Sequence, residues 1–417
     1  MAKPEPTRLF VAERGEERHV ALWRHGRLAG YRVDAPGLHD RSGALFLGQV
    51  ARVEPGLGSA FVAFDRSDSG VAETGLLPLR RGEKRVEGDR LLVQMTHDRR
   101  GEKSARLTAA PILEGRFVDL LAKESGVHMM GPVFAPENVR TLRAALRGLV
   151  AQSQAGFRLT PRASHASAED IVKEASGLVA SWQVCTEALK ERTSPGCLRH
   201  PPGALLTLLQ ELASGETITI TADNRSLARR IEAELAAASA AEVPAIEVQP
   251  QREWVPSAAE LDEAVRAALN SRVPLGEGGW VLFEPGETLT AIDVNSGRAS
   301  ARRAGASRAD LRLKLNLQAA ETIAQQLRLR AIGGLVVIDF VDMEGSADRD
   351  RVVKALRSAL IDDPARIRVL PMSDLGLVQM TRQRRGAGIA ELFFGTCEAC
   401  EGTGRLAQRR PIGNSPL

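Results

Sequence analysis

Aromatic side chains are scarce in this chain of 417 residues. Phenylalanine, tryptophan and tyrosine together make up 4% of it, and there is a single tyrosine. Proteins that hold single-stranded nucleic acid commonly stack its bases on aromatic rings, so any such surface here must use few rings. The chain also lacks a strong excess of either charge, because it has 56 lysines and arginines and 52 aspartates and glutamates. The net charge of +4 permits a polyanionic partner without requiring one.

Long apolar runs and numerous cysteines are missing as well. The N-terminus has no apolar core of signal-peptide length, and no stretch offers the roughly 20 apolar residues that a membrane-spanning helix needs. We therefore expect a cytoplasmic protein with no membrane segment. The four cysteines are Cys185, Cys197, Cys397 and Cys400. A disulfide framework is not expected in a reducing compartment, whereas the Cys-x-x-Cys spacing of the last two is typical of metal or redox chemistry.

Two short β-branched runs in the second half each carry an aspartate at their exit. The runs cover residues 289–297 and 333–343. Each predicts a buried strand that delivers its acid, Asp293 or Asp339, to the edge of a sheet. The amphipathic pattern between them, from Leu311 to Arg330, predicts a helix that the Gly333–Gly334 pair ends. A strand, a helix and a strand in this order place the two strands side by side, so the two acids are expected to be neighbours.

Paired carboxylates at a sheet edge are a minimal site for magnesium, which prefers oxygen ligands and often binds one or two carboxylates plus a phosphate. In phosphodiester cleavage such an ion activates water and neutralises developing charge. Asn295 follows Asp293 by two residues, so its amide falls on the same side of a continuing strand and could orient a carboxylate or phosphate oxygen. Asp342 competes with Asp339 for the second position. The alternative is that these aspartates and the asparagine are ordinary turn residues at strand ends. For each residue taken separately, residue type favours this alternative.

Residues 43–108 have the short, frequently interrupted strands of an all-β unit. Five such runs in about seventy residues predict an antiparallel barrel of the OB type, which holds single strands in a charged groove with a few stacking rings. Phe46, Phe61 and Phe64 are the candidate rings. The alternative is that these rings form the core of the barrel, and residue type favours this for any one of them.

The short N-terminal strands of residues 9–33 cannot bury a core alone and are expected to pair with strands further along.

Taken in order, these motifs resemble the ribonuclease E/G family of bacterial endoribonucleases. The matching stretches are residues 291–297, 316–317 with 319–321, 323–330, 333–340 and 376–384, followed by the terminal Cys-x-x-Cys. The resemblance implies a magnesium-dependent endoribonuclease acting on single-stranded RNA. By it, Asp293 and Asp339 bind the catalytic magnesium, and Asn295 positions them or the scissile phosphate. Phe61 and Lys103 fall on RNA-contacting positions, and Leu76 replaces a second phenylalanine of the family.

The same resemblance implies an α+β multidomain fold and a zinc-linked homodimer. The implied units are an RNase-H-like subdomain at 1–37 plus 205–275, an OB-fold RNA-binding domain at 38–112, a degenerate 5′-sensor-like α/β region at 113–204, a DNase-I-like catalytic subdomain at 276–393, and a zinc link with a tail at 394–417. Cys397 and Cys400 supply half of a tetrahedral zinc site, which the family completes with the same pair from a second subunit. Cys185 and Cys197 could instead complete it within one chain, or be buried thiols.

Three departures from the family pattern bear on function. The Arg-Thr pair with which the family senses a 5′ monophosphate has no counterpart in residues 156–162, so preference for such ends is expected to be weakened. Asp374 stands where a basic residue is usual, and Gln318 and Gln379 replace acids, which would tune activity or mark partial loss. The chain also stops soon after Gly404, as expected of a short form lacking the family's C-terminal small domain. A non-catalytic RNA-binding relative and a hydrolase of another phosphodiester, such as DNA, are therefore the alternative hypotheses.

Overall fold

The computed structural model describes the chain in several separate ranges of residues, which contain its α-helices and strands. The described residues are 7–24, 26–35, 41–66, 70–80, 82–99, 104–129, 136–212, 218–237, 246–250, 258–286, 288–297, 307–361, 363–385, 388–395, 397–400 and 404. Within them the chain forms four sheets and eight α-helices. Lys103, predicted to contact RNA, lies outside the described residues. None of the described helices is both long enough and apolar enough to cross a membrane.

Three N-terminal strands form an antiparallel meander. They are β1 (Thr7–Arg14), β2 (Glu17–Arg24) and β3 (Arg27–Asp34). The turn between β1 and β2 uses Gly15 at a φ of 62°, a backbone conformation that favours glycine. Leu9 and Val11 of β1 and Leu22 of β2 are buried on one face, and this face needs partners from later in the chain.

The next five strands close into a barrel. They are β4 (Leu45–Glu54), β5 (Ser59–Arg66), β6 (Ala72–Pro78), β7 (Arg90–His97) and β8 (Ala105–Thr108). The order is β4-β5-β6-β8-β7, and β7 pairs with β4 to close the ring. The predicted OB-like barrel is confirmed. Phe46 and Phe64 meet edge to face inside it, with ring centroids 4.9 Å apart and exposures of 0% and 1%. Their assignment as base-stacking candidates is therefore wrong.

A second small sheet with two long helices follows the barrel. Its elements are β9 (Ile112–Leu113), β10 (Val118–Leu121), β11 (Val127–Met129), α1 (Pro136–Ser153), β12 (Gly156–Leu159) and α2 (Ala168–Glu191). The helices bury Leu146 and Ile171 against Phe157 of the sheet. Ser167 caps α2 by accepting a hydrogen bond from the Asp170 N–H at 3.1 Å. The strand β13 (Gly196–Arg199) then pairs with β4 and ties this unit to the barrel.

The chain next returns to the N-terminal meander. The elements are α3 (Ala204–Gln210), β14 (Ile218–Ala222), α4 (Arg225–Ala237), β15 (Ile246–Pro250) and α5 (Ala258–Leu269). β14 runs parallel to β1, with Thr7 opposite Ile218, and β15 runs parallel to β14. The sheet order is β15-β14-β1-β2-β3. The prediction that the N-terminal strands pair with later ones is confirmed.

The last unit is a six-stranded sheet covered by helices. Its elements are β16 (Arg272–Pro274), β17 (Trp280–Pro285), β18 (Leu289–Asn295), α6 (Arg308–Leu329), β19 (Gly334–Asp339), α7 (Ser346–Ala359), β20 (Ile367–Val369), β21 (Leu377–Arg382) and α8 (Ile389–Phe393). The order is β16-β17-β18-β19-β21-β20, and β18 with β19 is its one parallel pair among the described strands. Ile323 and Leu327 of α6 pack on Val336 and Ile338 of β19.

The helix α6 ends within one residue of Arg330, the end that the sequence predicts. Its last residue is Leu329, and the residue in the left-handed conformation is Ala331, at a φ of 50°, rather than a glycine of the 333–334 pair. The Ile332 N–H donates to the Leu327 carbonyl at 3.0 Å, as in the usual left-handed termination of a helix. An alanine in that conformation carries a steric cost that glycine lacks, so residue type at this position gives no sign of the helix end.

A buried ion pair links the last strand of this sheet, β21, to the segment that follows α7. Arg382 donates to both carboxylate oxygens of Asp363, at 2.9 and 3.0 Å, and to the Ile332 carbonyl at 2.7 Å. Both side chains are almost fully buried, with exposures of 1% and 0%. Burial alone would raise the pKa of Asp363, but the charge and hydrogen bonds of Arg382 outweigh it and hold the pKa below its usual value.

We predict that Asp363→Asn lowers the free energy of unfolding by about 3–5 kcal/mol, because it leaves a buried guanidinium without its counter-charge. Since folding lowers the pKa of Asp363, this contribution is present above the unfolded carboxyl pKa of about 3.9 and is lost as pH falls through the lower folded value. Urea unfolding at neutral and acidic pH measures both effects. Asp348→Asn, which breaks the exposed pair with Arg351, is the control and should cost at most about 1 kcal/mol.

Candidate active site

Asp293 and Asp339 lie side by side on two adjacent parallel strands. Each is the register partner of the other between β18 and β19, and neighbouring strands are about 4.8 Å apart. The flanking Ile292 and Ile338 are buried, whereas Asp293 is half-buried and Asp339 is exposed. Because strand side chains alternate between faces, both acids point away from the helix-covered core. The prediction that the two acids are neighbours is confirmed.

Asn295 orients the first of these acids. β18 continues to Asn295, so its side chain falls on the same face as Asp293, as predicted from the two-residue spacing. Its amide Nδ2 donates a hydrogen bond to Asp293 Oδ2. Just beyond, Gly297 has a φ of 51°, and a Cβ there would collide with the Gly278 carbonyl oxygen and the Trp280 ring. Only glycine fits this exit from the strand.

Asn316 holds the loop that follows Asp339, and its role was missed in the sequence. It is fully buried on α6, where its amide donates to the Val341 carbonyl at 2.8 Å and its oxygen accepts from the Val341 N–H at 3.1 Å. The helix that connects the two acid-bearing strands therefore also fixes the backbone after the second acid. A polar amide on the apolar stripe of that helix is the signal that could have revealed it.

Carboxylates dominate the electrostatics of this sheet edge. Partial desolvation, and then repulsion from Asp293 and Asp342, raises the pKa of Asp339. Asp342 is exposed in the loop after β19, so it stays a candidate for the second position. Repulsion of this kind favours either a proton or a cation between the acids. Asp293 and Asp339 offer carboxylate oxygens, and a hard divalent ion such as magnesium takes one or two such ligands while keeping several waters.

A cleft of about 110 Å³ adjoins the acids, between the loop after β19 and the turn that precedes β21. Asp342, Arg349 and Asp374 bring charge to its lining, and Leu375 beside them is 82% exposed. Arg349 is held in place by donating from Nε to the Met343 carbonyl at 2.9 Å. Asp374, found where the resemblance predicts a basic residue, therefore adds negative charge next to the acidic edge.

The two glutamines that replace family acids differ in position. Gln379 is exposed on β21 and pairs with Val337, two residues before Asp339. Cross-strand partners share a face, so Gln379 lies on the acid-bearing face. Gln318 is exposed on α6 and sits against Gly276, where an added Cβ would come within 2.9 Å of its Nε2.

Phe61 is the one barrel ring of the three candidates that faces outward. It is half-buried between the buried Ala60 and Val62, and the Arg52 guanidinium lies 5.0 Å from its ring centroid. Its cross-strand partner is Leu76, the residue that replaces the second family phenylalanine. The two positions therefore form one surface pair on the barrel.

The four cysteines lie in two separate places. Cys397 is exposed and Cys400 half-buried after α8, whereas Cys185 on α2 is buried and Cys197 on β13 has its sulfur 3.7 Å from His200 Nδ1. Within the described parts of the chain, no three histidine, cysteine or acidic side chains converge to hold a metal ion. The four thiols thus do not form one site within a single chain.

The fold and this site define a mixed α/β protein that joins an OB-like barrel to a sheet with an acidic edge. The sequence model described as "Ribonuclease E/G family" matches residues 113–385, and the chain belongs to that family. It is 32% identical to Ribonuclease E of Nostoc sp. (strain PCC 7120 / SAG 25.82 / UTEX 2576) over 382 residues, which cover 89% of this chain and 55% of that protein.

Other relatives extend the same comparison. The chain is 28% identical to Ribonuclease E of Escherichia coli (strain K12), with 98% of this chain and 40% of that protein covered. It is 27% identical to Ribonuclease G of the same organism, with 95% of this chain and 84% of that protein covered. The chain thus spans about half the length of the ribonuclease E relatives. The resemblance stated from the motifs is confirmed.

We predict that Asn316→Ala lowers the free energy of unfolding by about 1–3 kcal/mol, because the partly buried N–H and C=O of Val341 lose their partners. Hydrogen exchange of the Val341 amide should quicken by more than that of the β18 amides. Gln325→Ala, an exposed position on the same helix, is the control and should stay within about 0.5 kcal/mol of the parent. An unchanged Val341 exchange rate would show that Asn316 does not hold the loop.

Proposed function

We propose that this protein is a magnesium-dependent endoribonuclease that hydrolyses phosphodiester bonds in single-stranded RNA. The observation that carries the proposal is the register pairing of Asp293 with Asp339, with Asn295 holding Asp293, in a chain that belongs to the ribonuclease E/G family. Relatives carrying the names Ribonuclease E and Ribonuclease G support it.

In this proposal each residue at the acidic edge has a separate task. Asp293 and Asp339 hold the magnesium ion, which would supply an activated water and charge neutralisation on the phosphate. Asn295 keeps the Asp293 carboxylate in one orientation through its hydrogen bond. Asn316 fixes the loop after Asp339. Phe61 and Lys103 contact the RNA, with the Phe61 ring available at the barrel surface.

We also infer weakened sensing of a 5′ monophosphate, because two acids of the sensor-like region, Asp119 and Glu114, pair with the nearby arginines. Arg158 donates from Nε to the buried Asp119 at 3.1 Å, and Glu114 lies 3.5 Å from Arg366 and 3.8 Å from Arg385. Burial would raise the pKa of Glu114, yet Arg385 and its neighbours lower it, so the acid stays charged. Guanidiniums engaged in this way are poorly placed to receive a phosphate.

A second candidate function is that of a non-catalytic RNA-binding relative. It is favoured by Asp374, whose exposed carboxylate adjoins the acidic edge where the family usually has a basic residue. An added negative charge repels the scissile phosphate. This candidate predicts salt-sensitive RNA binding without turnover.

We predict that Asp293→Asn lowers the rate of RNA cleavage by at least about 100-fold, since loss of a residue that only supports a metal ligand already costs about 10- to 100-fold. Asn295→Ala should fall within that smaller range and recover partly at higher magnesium. The measurement is a gel assay on unstructured RNA with magnesium or EDTA, and Asp350→Asn, exposed on α7, is the control. Equal, metal-independent cleavage by all variants would overturn the proposal.

The same assay addresses the other inferences on substrates. RNA with a 5′ monophosphate and RNA with a 5′ triphosphate should be cut at similar rates if sensing is weakened. A large preference for the monophosphate would contradict that inference. A matched DNA strand should resist cleavage, and RNA binding without any turnover would favour the second candidate function.

We further propose a homodimer in which Cys397 and Cys400 of two chains share one zinc ion. Four thiolates in a tetrahedron suit zinc, and the exposure of Cys397 leaves the pair accessible to another chain. Cys397→Ser and Cys400→Ser should each give a monomer without zinc in sizing and metal-content measurements. Cys197→Ser, outside the pair, should remain a zinc-containing dimer. A dimer that persists in Cys400→Ser without zinc would contradict the shared site.

A further inference from the structure

A second cleft, away from the acidic edge, lies between the barrel and α2. It has a volume of about 320 Å³, within the range of roughly 300–1,000 Å³ that is typical of small-molecule sites. Leu92 on the outer face of β7 and Leu189 on α2 contribute to an apolar floor, and Trp182 forms part of the wall. Trp182 and Leu189 lie on the same side of the helix, because seven residues make about two turns.

Cations from three separate segments surround this floor. Arg85 precedes β7, Arg90 begins it, and Lys123 follows β10, and among the described residues that line the cleft there is no acid. Arg85 is paired with Glu83 at 2.7 Å. Arg90 donates one hydrogen bond to the Arg192 carbonyl at 2.8 Å, which uses one of its five N–H donors. Lys123 is exposed. The cleft therefore carries a net positive charge.

A half-buried aromatic ring beside several cations is the combination that binds single-stranded nucleic acid. The apolar floor and Trp182 suit a flat base, and Arg90 with Lys123 suits the phosphate attached to it. A peptide would need an acidic and an aromatic side chain next to each other to match this lining, whereas one nucleotide carries both the flat ring and the negative charge. The chemistry of the lining thus favours a nucleotide.

The position of the cleft favours a nucleotide within an RNA strand over a free one. Phe61 on β5 and Arg90 on β7 both face outward, and only β4 separates their strands. Their strands are thus about 10 Å apart across the barrel surface. A strand that contacts Phe61 can continue into the cleft. We propose that this cleft, lined by Arg85, Arg90, Lys123 and Trp182, is an RNA exosite that binds one nucleotide of a strand held by the barrel. The proposal rests on the proposed RNA substrate but not on cleavage.

The test measures RNA binding by the full chain carrying Asp293→Asn, without added magnesium, so that its outcome is separate from catalysis. The Arg90→Gln/Lys123→Gln variant should bind a labelled single-stranded RNA of twelve nucleotides about 10-fold more weakly by fluorescence anisotropy. The slope of log affinity against log salt should fall by about 0.7 for each phosphate that the variant no longer neutralises. Arg143→Gln/Lys173→Gln, which removes the same charge from exposed positions outside the cleft, should change neither value.

Substitutions at Trp182 and a crosslinking experiment show whether weaker binding comes from the cleft or from a folding defect. Trp182→Leu should weaken binding about 5-fold or more, as expected for loss of one stacked base, while Trp182→Phe should restore most of it. RNA carrying 4-thiouridine should crosslink to peptides that contain residues 85–92 or 182–189. Affinities equal to the control, with crosslinks elsewhere, would overturn the exosite. Competition of these crosslinks by free uridine monophosphate as efficient as by RNA would also overturn it, in favour of a free-nucleotide site.

Discussion

The parallel pairing of β18 with β19 is the constraint on which the site depends. Parallel neighbours need a crossover connection, and α6 provides it while packing Ile323 and Leu327 on the sheet. A slip of one residue in this register would turn Asp339 into the core and Ile338 out of it. Burial of the apolar face therefore fixes the alignment of Asp293 with Asp339. The same helix carries Asn316, so one element sets both the core and the loop beside the acids.

Buried ion pairs fix how the units of the chain meet. Arg32 of β3 donates to Glu211 Oε1 at 3.0 Å and to the Arg328 carbonyl of α6 at 3.1 Å. A partly buried pair also joins Glu114, just after β9, to Arg385 at 3.8 Å, and Glu114 accepts a hydrogen bond from Gln383 at 2.9 Å. Such pairs add little net stability compared with apolar contacts, yet losing one partner is costly. Their partners come from distant parts of the sequence, which makes each junction specific in geometry.

Features that depend on the local pattern of apolar and polar residues could be predicted from the sequence. β-Branched runs and the intervening helical period were enough to place Asp293 beside Asp339, and frequent strand breaks indicated the barrel. Features set by tertiary contacts could not be predicted. The phase of each barrel strand decides that Phe46 and Phe64 face inward while Phe61 faces outward, and residue type carries no such information. The cleft between Arg90 and Trp182 exists only because residues about ninety positions apart meet in the fold.

In the proposed function, the charges that attract RNA and the charges that hold the catalytic ion lie in different parts of the molecule. Asp293, Asp339, Asp342 and Asp374 make one sheet edge acidic, and without a cation this edge repels a phosphate. Arg158 is paired with Asp119, and Arg366 and Arg385 lie beside Glu114, so these arginines offset little of this charge. Attraction for RNA in this proposal comes from the barrel and the cations beside it. In the proposed function a divalent ion would offset much of this negative charge, so the strand would be held at one place and cut at another.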